Sequence, residues 1–443
     1  MTSEKKENNT LKLSKRTPKF SSSEDKRVKS GARARKVALR ELNTTKTTIN
    51  ERTETKKKSD YTTEEFVVFA PCPIGLEVPL KNELLNLGFS DAEVGKSGCK
   101  FNTNWIGVMK ANLYSRIASR ILVQIAHGDI KTEDEIYDLA RSAPWERWFG
   151  PEHTLRVDVT GLKSTFTSLQ FCNLRAKDGI VDRLRIKEGA RPNIDKARPS
   201  AKVHLFIDST SATIYLDTSG ESLFKRGWRL DKGMAPIREN LAAGLLSLAN
   251  WTPDIPLYDP FCGSGTILIE AAWIAKNIPP ALFHPLGFER LRNHPVKIWR
   301  EMKAQAKAEL RADTPLKLFG TDIDNFALKA ARSNMMRAGL EENEISLKMQ
   351  NALESMPPCE TGMILCNPPY GERLDEEDNL FWRQWSSLLK KQYAGWDINI
   401  ITSDRDLPSK LRLKPRRKTP VFNGDLDCRL FNFEMVQESY RDA

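Results

Sequence analysis

The chain of 443 residues lacks any apolar run near the ~18 residues that a membrane-spanning helix requires, and it has no secretory hydrophobic core. Its seven cysteines include no C-x-x-C pair, so neither a zinc site nor a disulfide framework is predicted, and a reducing cytoplasm is the expected location. Histidine is scarce. His127, His153, His204, His284 and His294 show no metal-ligand spacing and no Ser or Cys nucleophile beside them, so each is predicted to be structural or superficial and no metal is expected. Two phosphate-binding fingerprints are also missing. Gly263 and Gly265 form G-x-G, but Leu268 stands where a dinucleotide loop needs its third glycine, and no G-K-[ST] follows.

Charge is present but unevenly spread. Residues 1–60 carry 18 Lys/Arg against 8 Asp/Glu, residues 61–220 carry 20 against 20, and residues 221–443 carry 31 against 30. The excess therefore sits in the first 60 residues, which hold few large apolar side chains and are predicted to be disordered. Lys26-Arg27-Val28-Lys29 and Arg33-Ala34-Arg35-Lys36 read equally as arms for RNA phosphates or as a solubilising extension. The eight acidic residues argue against a transit peptide. Length alone implies two or three domains.

Within 61–220, strand patterns at 65–70, 154–159, 202–207 and 213–216 alternate with helix patterns at 76–88, 103–125 and 168–187, an α+β unit whose second half is the more basic. From 255 onward the pattern changes to repeated strand–loop–helix. Residues 255–272 run from an apolar strand through Asp259, a loop containing Gly263 and Gly265, and into an Ala/Ile/Leu-rich helix. This is the first βα turn of a doubly wound sheet, where ligands meet the carboxyl ends of the strands. Asp259 suits a cationic ligand group better than a pyrophosphate. A second strand ends at Asp322, placed to accept ribose hydroxyls, with Asp324 as N-cap of a helix over 325–338. A third, over 345–349, leads to Asn351, placed to meet an adenine amino group. The fourth ends at Asn367-Pro368-Pro369-Tyr370. Two prolines remove two N–H donors and leave carbonyl oxygens, Asn367 adds an amide oxygen, and Tyr370 adds a flat ring. That corner suits a planar substrate with an exocyclic amine. Between the first helix and the second strand, 277–292 is predicted to be a loop insertion near the active site and 295–313 an amphipathic helix.

The motifs D-P-F-C-G-S-G-T, G-T-D-I-D and N-P-P-Y-G-E-R, supported by 225–229, 235–243 and 423–428, resemble those of class I S-adenosylmethionine-dependent RNA methyltransferases with an N-terminal THUMP domain, specifically the RlmL type that methylates guanine N2 in large-subunit rRNA. The resemblance runs from Phe66 to the C-terminus. Behind the disordered basic tail that composition predicts over 1–63, it implies a ferredoxin-like α+β subdomain over 64–125, a THUMP RNA-binding domain over 126–220 and a Rossmann-like α/β methyltransferase domain over 221–443. It further implies catalysis by Asn367, Pro368 and Tyr370, and cofactor contacts from Asp259, Phe261, Gly263, Gly265, Thr266, Asp322, Ile323, Asn351, Ala352 and Asn367. One departure is Asn351, where many relatives carry Asp; its amide oxygen can still accept a hydrogen bond. Lys163, Arg175, Lys177, Arg183 and Arg185 are the candidate RNA phosphate contacts, with rRNA or its assembly intermediates as the expected partner. Two rivals stand beside this: a tRNA guanine-N2 methyltransferase of the THUMP group, and a non-catalytic RNA-binding assembly factor. The second predicts an eroded cofactor loop, whereas Asp259, Gly263, Gly265, Asp322 and Asn367 are all present.

Overall fold

A computed structural model describes residues 63–231, 237–292, 294–369 and 376–436, the side chains of 376–378 excepted. Almost all of the predicted basic tail lies outside the described residues, and so does Tyr370.

The first half builds one sheet. Its elements are β1 (Phe66–Pro71), α1 (Glu77–Asn86), β2 (Glu93–Gly95), β3 (Gly98–Thr103), α2 (Trp105–Tyr114), β4 (Leu122–Asp129), α3 (Glu133–Ser142), β5 (Thr154–Leu162), α4 (Leu169–Glu188), β6 (Asn193–Ile194), β7 (Ala201–Asp208) and β8 (Ser211–Asp217). The strand order is β2-β3-β1-β4-β8-β7-β5-β6. β4 joins the two parts, pairing with β1 on one side and β8 on the other, so it straddles the expected division at 125/126. Strand alternation explains the core. Ala201, Val203, Leu205 and Ile207 of β7 are buried, while Lys202, His204 and Phe206 between them are only half-buried. α3 and α4 cross closely at Gly179, where a Cβ would stand 2.4 Å from the Tyr137 carbonyl oxygen. α4 is capped as its sequence suggests, by the Ser168 side chain accepting from Phe171 N at one end and Gly189 at φ +80° at the other.

The helix expected over 103–125 is a correction. α2 stops at Tyr114, and the β-branched run beginning at Ile121 becomes β4. The break is imposed from 32 residues away, because Ser115 Oγ donates to Glu83 Oε1 at 2.5 Å and Arg116 N donates to Glu83 Oε2 at 2.9 Å.

The second half contains α5 (Glu239–Leu248), β9 (Leu257–Asp259), α6 (Thr266–Ala275), α7 (Val296–Ala308), β10 (Leu318–Asp322), α8 (Asn325–Arg337), β11 (Ser346–Met349), β12 (Met363–Cys366), α9 (Glu376–Gln392), β13 (Asp397–Thr402), α10 (Leu407–Leu411), β14 (Arg417–Asn423) and β15 (Leu426–Glu434). Its seven strands run β11-β10-β9-β12-β13-β15-β14. The pairs from β11 through β13 are parallel, and β15 enters antiparallel to β13. β9 lies between β10 and β12, so the strand order reverses beside β9 and opens a crevice at the carboxyl ends there. The near-continuous apolar runs of β12 and β13 match a sheet covered on both faces.

Residues 277–292 also differ from expectation. They leave α6 at the end opposite the crevice and dock on the first half: Gly287 N donates to Ser219 O, Phe288 N to Thr218 O and Arg292 N to Trp148 O, at 2.8–2.9 Å. The Arg292 guanidinium adds ion pairs to Glu152 at 2.7 Å and Glu188 at 3.0 Å. A second seam is fully buried. Arg226 pairs with Glu270 of α6 at 3.2 Å, both side chains at 0% exposure, and donates to the Arg116 carbonyl at 2.6 Å. Arg116 in turn donates to the Ile278 carbonyl at 2.6 Å. The two halves are thus held by partly exposed ion pairs at Arg292 and by a seam at Arg226, whose charge is paired with Glu270 out of reach of water, an arrangement costly to open.

Candidate active site

The crevice is lined by the ends of β9, β10, β11 and β12. Register places Gly320 of β10 opposite Asp259 and Met349 of β11 opposite Asp322, so the two aspartates end adjacent strands at staggered heights. β12 pairs Ile364 with Tyr258, which carries Asn367 past the end of β9 on its other side.

Asp259 is 2% exposed and accepts one hydrogen bond, from Phe261 N at 3.0 Å. Burial, with a smaller contribution from the Asp322 carboxylate, pushes its carboxyl up to about 8. Asp322 is half-buried and ties down the glycine loop, its Oδ2 accepting from Gly263 N and its Oδ1 from Asp324 N, both at 2.9 Å. Each of its oxygens retains acceptor capacity toward a ligand. Gly263 sits at φ +52° with nothing within 4 Å of where a Cβ would stand, so the loop backbone is open to close approach. Gly265, at φ +80°, begins α6, with Thr266 as the buried first residue of that helix. A side chain at Gly265 would meet Ala331 Cβ of α8 at 3.2 Å. Phe261 packs edge-on to Trp385 of α9 with ring centroids 5.3 Å apart. Ile323 is 68% exposed, an apolar side chain left uncovered beside Asp322.

Asn351 caps the short turn Ala352–Glu354, its side-chain oxygen accepting from Leu353 N at 3.0 Å, and Ala352 is buried. One lone pair of that oxygen is therefore spent locally and one remains. Asn367 is half-buried and Pro368 buried at the end of β12. Cys262 and Cys366 are buried near the Asp259 carboxylate, and burial pushes both thiols well up, which keeps them as small inert side chains.

Sequence reasoning missed the scaffold beneath these groups. Tyr258 OH lies 2.8 Å from Thr321 Oγ1, Tyr258 stacks at 4° on Tyr393, and Tyr393 OH lies 3.0 Å from Ser355 Oγ. This chain of contacts joins β9, β10, the residue that follows α9 and the turn that carries Ala352. Asn334 of α8, fully buried, donates to the Ser264 carbonyl of the glycine loop at 3.1 Å and to the Asp231 carbonyl at 3.0 Å. Only Gly320 offered a readable signal, since a Cβ there would strike Leu268 Cδ1 at 2.5 Å and Leu347 Cδ2 at 2.8 Å.

Of the candidate RNA contacts, three are engaged within the first half. Arg175 pairs with Asp134 at 2.5 Å and lies over the Tyr137 ring, Arg183 pairs with Glu146 at 2.6 Å, and Lys177 pairs with Asp178. Lys163 and Arg185 are exposed. Among the described residues no group of three or more His, Cys, Asp or Glu is placed to hold a metal, and no helix is long and apolar enough to cross a membrane.

Comparison with known proteins agrees with this geometry. Residues 226–432 match the RMKL-like methyltransferase domain, 131–217 the THUMP domain and 67–122 the RlmL ferredoxin-like domain. The chain is 34% identical over 395 residues to the ribosomal RNA large subunit methyltransferase K/L of Marinomonas sp. (strain MWYL1), covering 87% of this chain and 55% of that protein. It thus spans about half the length of the curated relatives it matches. Among solved structures, SMU.472, described as a methyltransferase and complexed with SAH, superposes with TM-score 0.78 at 29% identity over 85% of this chain and 100% of that one. A protein from Listeria monocytogenes str. 4b F2365, described as an N6-adenine-specific DNA methylase, gives TM-score 0.76 at 31% identity over 84% and 96%. With a glycine loop, two acidic strand ends and the matched domains in one order along the chain, this protein belongs to the THUMP-containing methyltransferases with an RMKL-like catalytic domain.

Proposed function

We propose that this protein methylates the exocyclic N2 of a guanine in large-subunit rRNA in the cytoplasm, with residues 221–443 carrying the chemistry and 64–220 the RNA. The observation that carries this is the convergence of Asp259, Asp322, Asn351 and Asn367 at the carboxyl ends of four neighbouring parallel strands. The strand ends fit S-adenosylmethionine, the methyl donor implied by the SAH-bound relative. The open backbone at Gly263 admits close approach, Asp322 keeps acceptor capacity for ribose hydroxyls, Asn351 and buried Ala352 face the adenine, and Ile323 offers apolar cover. Asp259 answers a ligand ammonium, which favours its ionised form. Phe261, Gly265 and Thr266 complete the loop wall.

When bound, S-adenosylmethionine supplies a methyl group already activated by its sulfonium. The protein's task is then to present the amine. Guanine N2 shares its lone pair with the ring and is a poor nucleophile. The Asn367 amide oxygen and the Pro368 carbonyl accept its two hydrogens, favour positive charge on nitrogen and align it for in-line attack. Tyr370 stacks on the base. A target inside a helix is first flipped out, at a cost of a few kcal/mol.

Asn367→Ala tests the assignment. Cofactor affinity, measured by calorimetry, stays within about threefold, while single-turnover methylation falls by about 10² or more. Nucleoside mass spectrometry of rRNA, tRNA and DNA from a deletion strain reads the substrate. Loss of N2-methylguanosine from one large-subunit fragment supports the proposal. Loss from tRNA alone selects the tRNA rival, and loss of N6-methyladenine from DNA overturns the RNA reading.

A further inference from the structure

Gln350 N donates to Asp322 O at 3.1 Å, which seats Asn351 directly beside Asp322 at the carboxyl end of β11. Asn351 then opens the Ala352–Glu354 turn, and its Oδ1 accepts from Leu353 N at 3.0 Å. A backbone N–H can only donate, so the amide atom turned toward it is the oxygen. The other atom is therefore Nδ2, directed away from the turn. Among the described residues Nδ2 has no hydrogen-bond partner, and it is not enclosed by protein. The neighbouring Ala352 N–H has no partner among them either. This corner of the crevice thus offers a ligand two donors, where a purine amino group needs an acceptor.

The turn holds that arrangement in place. Ser355 Oγ donates to the Ala352 carbonyl at 2.9 Å, Glu354 N to the Asn351 carbonyl at 3.0 Å, and Gln350 Nε2 to the Glu354 carbonyl at 2.9 Å. A rotation that brought Oδ1 outward would set Nδ2 against the Leu353 N–H, donor against donor. Without that rotation a ligand amine must share an oxygen already occupied, whereas Nδ2 brings two N–H groups with no competitor. The ring nitrogens of a purine accept and its exocyclic amine donates, so the two donors match the ring and not the amine. Met349 and Ile323, 66% and 68% exposed, add apolar surface that suits the faces of a flat base and offers the amine no acceptor.

Resting on the cofactor proposed above, we infer that Asn351 sets base selectivity as a donor: Nδ2 and the Ala352 N–H address a ring nitrogen of the cofactor's purine, and this side chain leaves the amino group unheld. The site then discriminates little between purines with and without that amine. Asn351→Asp exchanges the outward nitrogen for oxygen, which installs the missing acceptor and keeps the cap. The test is titration calorimetry with the full chain and two probes, S-adenosylhomocysteine and its analogue carrying unsubstituted purine in place of adenine. The parent is expected to bind the two within about twofold, and Asn351→Ala to weaken both by the same factor. Asn351→Asp is expected to prefer S-adenosylhomocysteine by about fivefold to tenfold, the worth of one added hydrogen bond. Comparing two probes on one variant cancels the effect of a new charge beside Asp322, and poor folding does not produce a gain in selectivity. A parental preference of about fivefold or more that disappears in Asn351→Ala shows Oδ1 holding the amine and overturns the inference. An Asn351→Asp ratio equal to the parent's overturns it as well. In both cases S-adenosylhomocysteine is still bound, so the cofactor reading stands. A parent that does not bind S-adenosylhomocysteine at all overturns that reading, and this inference with it.

Discussion

Two aspartates, each 2% exposed, mark the contrast between the halves. Asp217 closes β8 in the first half. Burial opposes its charge, yet the hydrogen bond from His204 at 3.1 Å, the Arg120 guanidinium at 2.6 Å and the Gly220 N–H hold its carboxyl below the usual range. Asp259 closes β9 in the second half, and its one hydrogen bond in the structure comes from Phe261 N, with a second carboxylate nearby rather than a cation, so its carboxyl rises to about 8. Equal burial therefore produces opposite ionisation, because the partners decide. A carboxylate supplied with cations by its own chain is complete as it stands. One that is buried without a cation waits for a ligand to provide it, which is the pattern expected at a functional site.

Stability breaks the comparison most sharply. Arg120→Met strands the buried Asp217 charge and is expected to cost about 3 kcal/mol, read as a lower urea midpoint at unchanged slope. Asp259→Asn replaces a buried carboxyl that the folded chain holds protonated up to about pH 8 with a neutral amide of nearly the same shape, and is expected to change stability by less than about 1 kcal/mol, while weakening S-adenosylhomocysteine binding about tenfold or more. Comparable destabilisation by the two variants would show that Asp259 is another structural carboxylate.

The pH dependence sharpens the same point. A raised carboxyl keeps its proton in the folded state after the unfolded chain has lost it, so the contribution of Asp259 to stability falls as pH rises from about 4 to about 8. Asp217, held low, contributes stability that persists above the ordinary carboxylate range and is lost as pH falls below it. Ligand binding inverts the first trend. If a cationic ligand group meets ionised Asp259, with Asp322, Cys262 and Cys366 as the other titratable groups nearby, affinity for S-adenosylhomocysteine rises between pH 6 and 8 and then levels. Titration calorimetry across that range should show the rise in the parent and a flat profile in Asp259→Asn. The smallest effect belongs to the scaffold. Tyr258→Phe loses one buried hydrogen bond to Thr321, about 1 kcal/mol by thermal unfolding, with a severalfold weaker cofactor.

How much of this was legible depended on how local the cause is. The glycine loop, Asp322, the Asp324 cap and the Pro-Pro end of β12 each announce themselves within a few residues, because turn geometry, capping and loss of donors are properties of short segments. The helix expected over 103–125 failed because its break at Ser115 is made by Glu83, which no window around 115 contains. Residues 277–292 were recognisable as an insertion, but their docking on Trp148, Thr218 and Ser219 depends on how the two sheets meet. The candidate RNA cations lie in a basic run, and Asp134, Glu146 and Asp178 emerge as partners of Arg175, Arg183 and Lys177 only after folding.

By itself the amino-acid sequence determined the α/β character of the second half, the four strand ends and the family, since strand-end motifs need only short-range order to be recognised. Tertiary structure alone decided that one eight-stranded sheet spans the first half, that buried Arg226, paired with Glu270, ties the second half to the Arg116 carbonyl of the first, and that the carboxyls of Asp259 and Asp217 shift in opposite directions. Those outcomes depend on which distant groups share a buried space, and in a low-dielectric interior a single neighbouring charge outweighs anything a residue's own segment can specify.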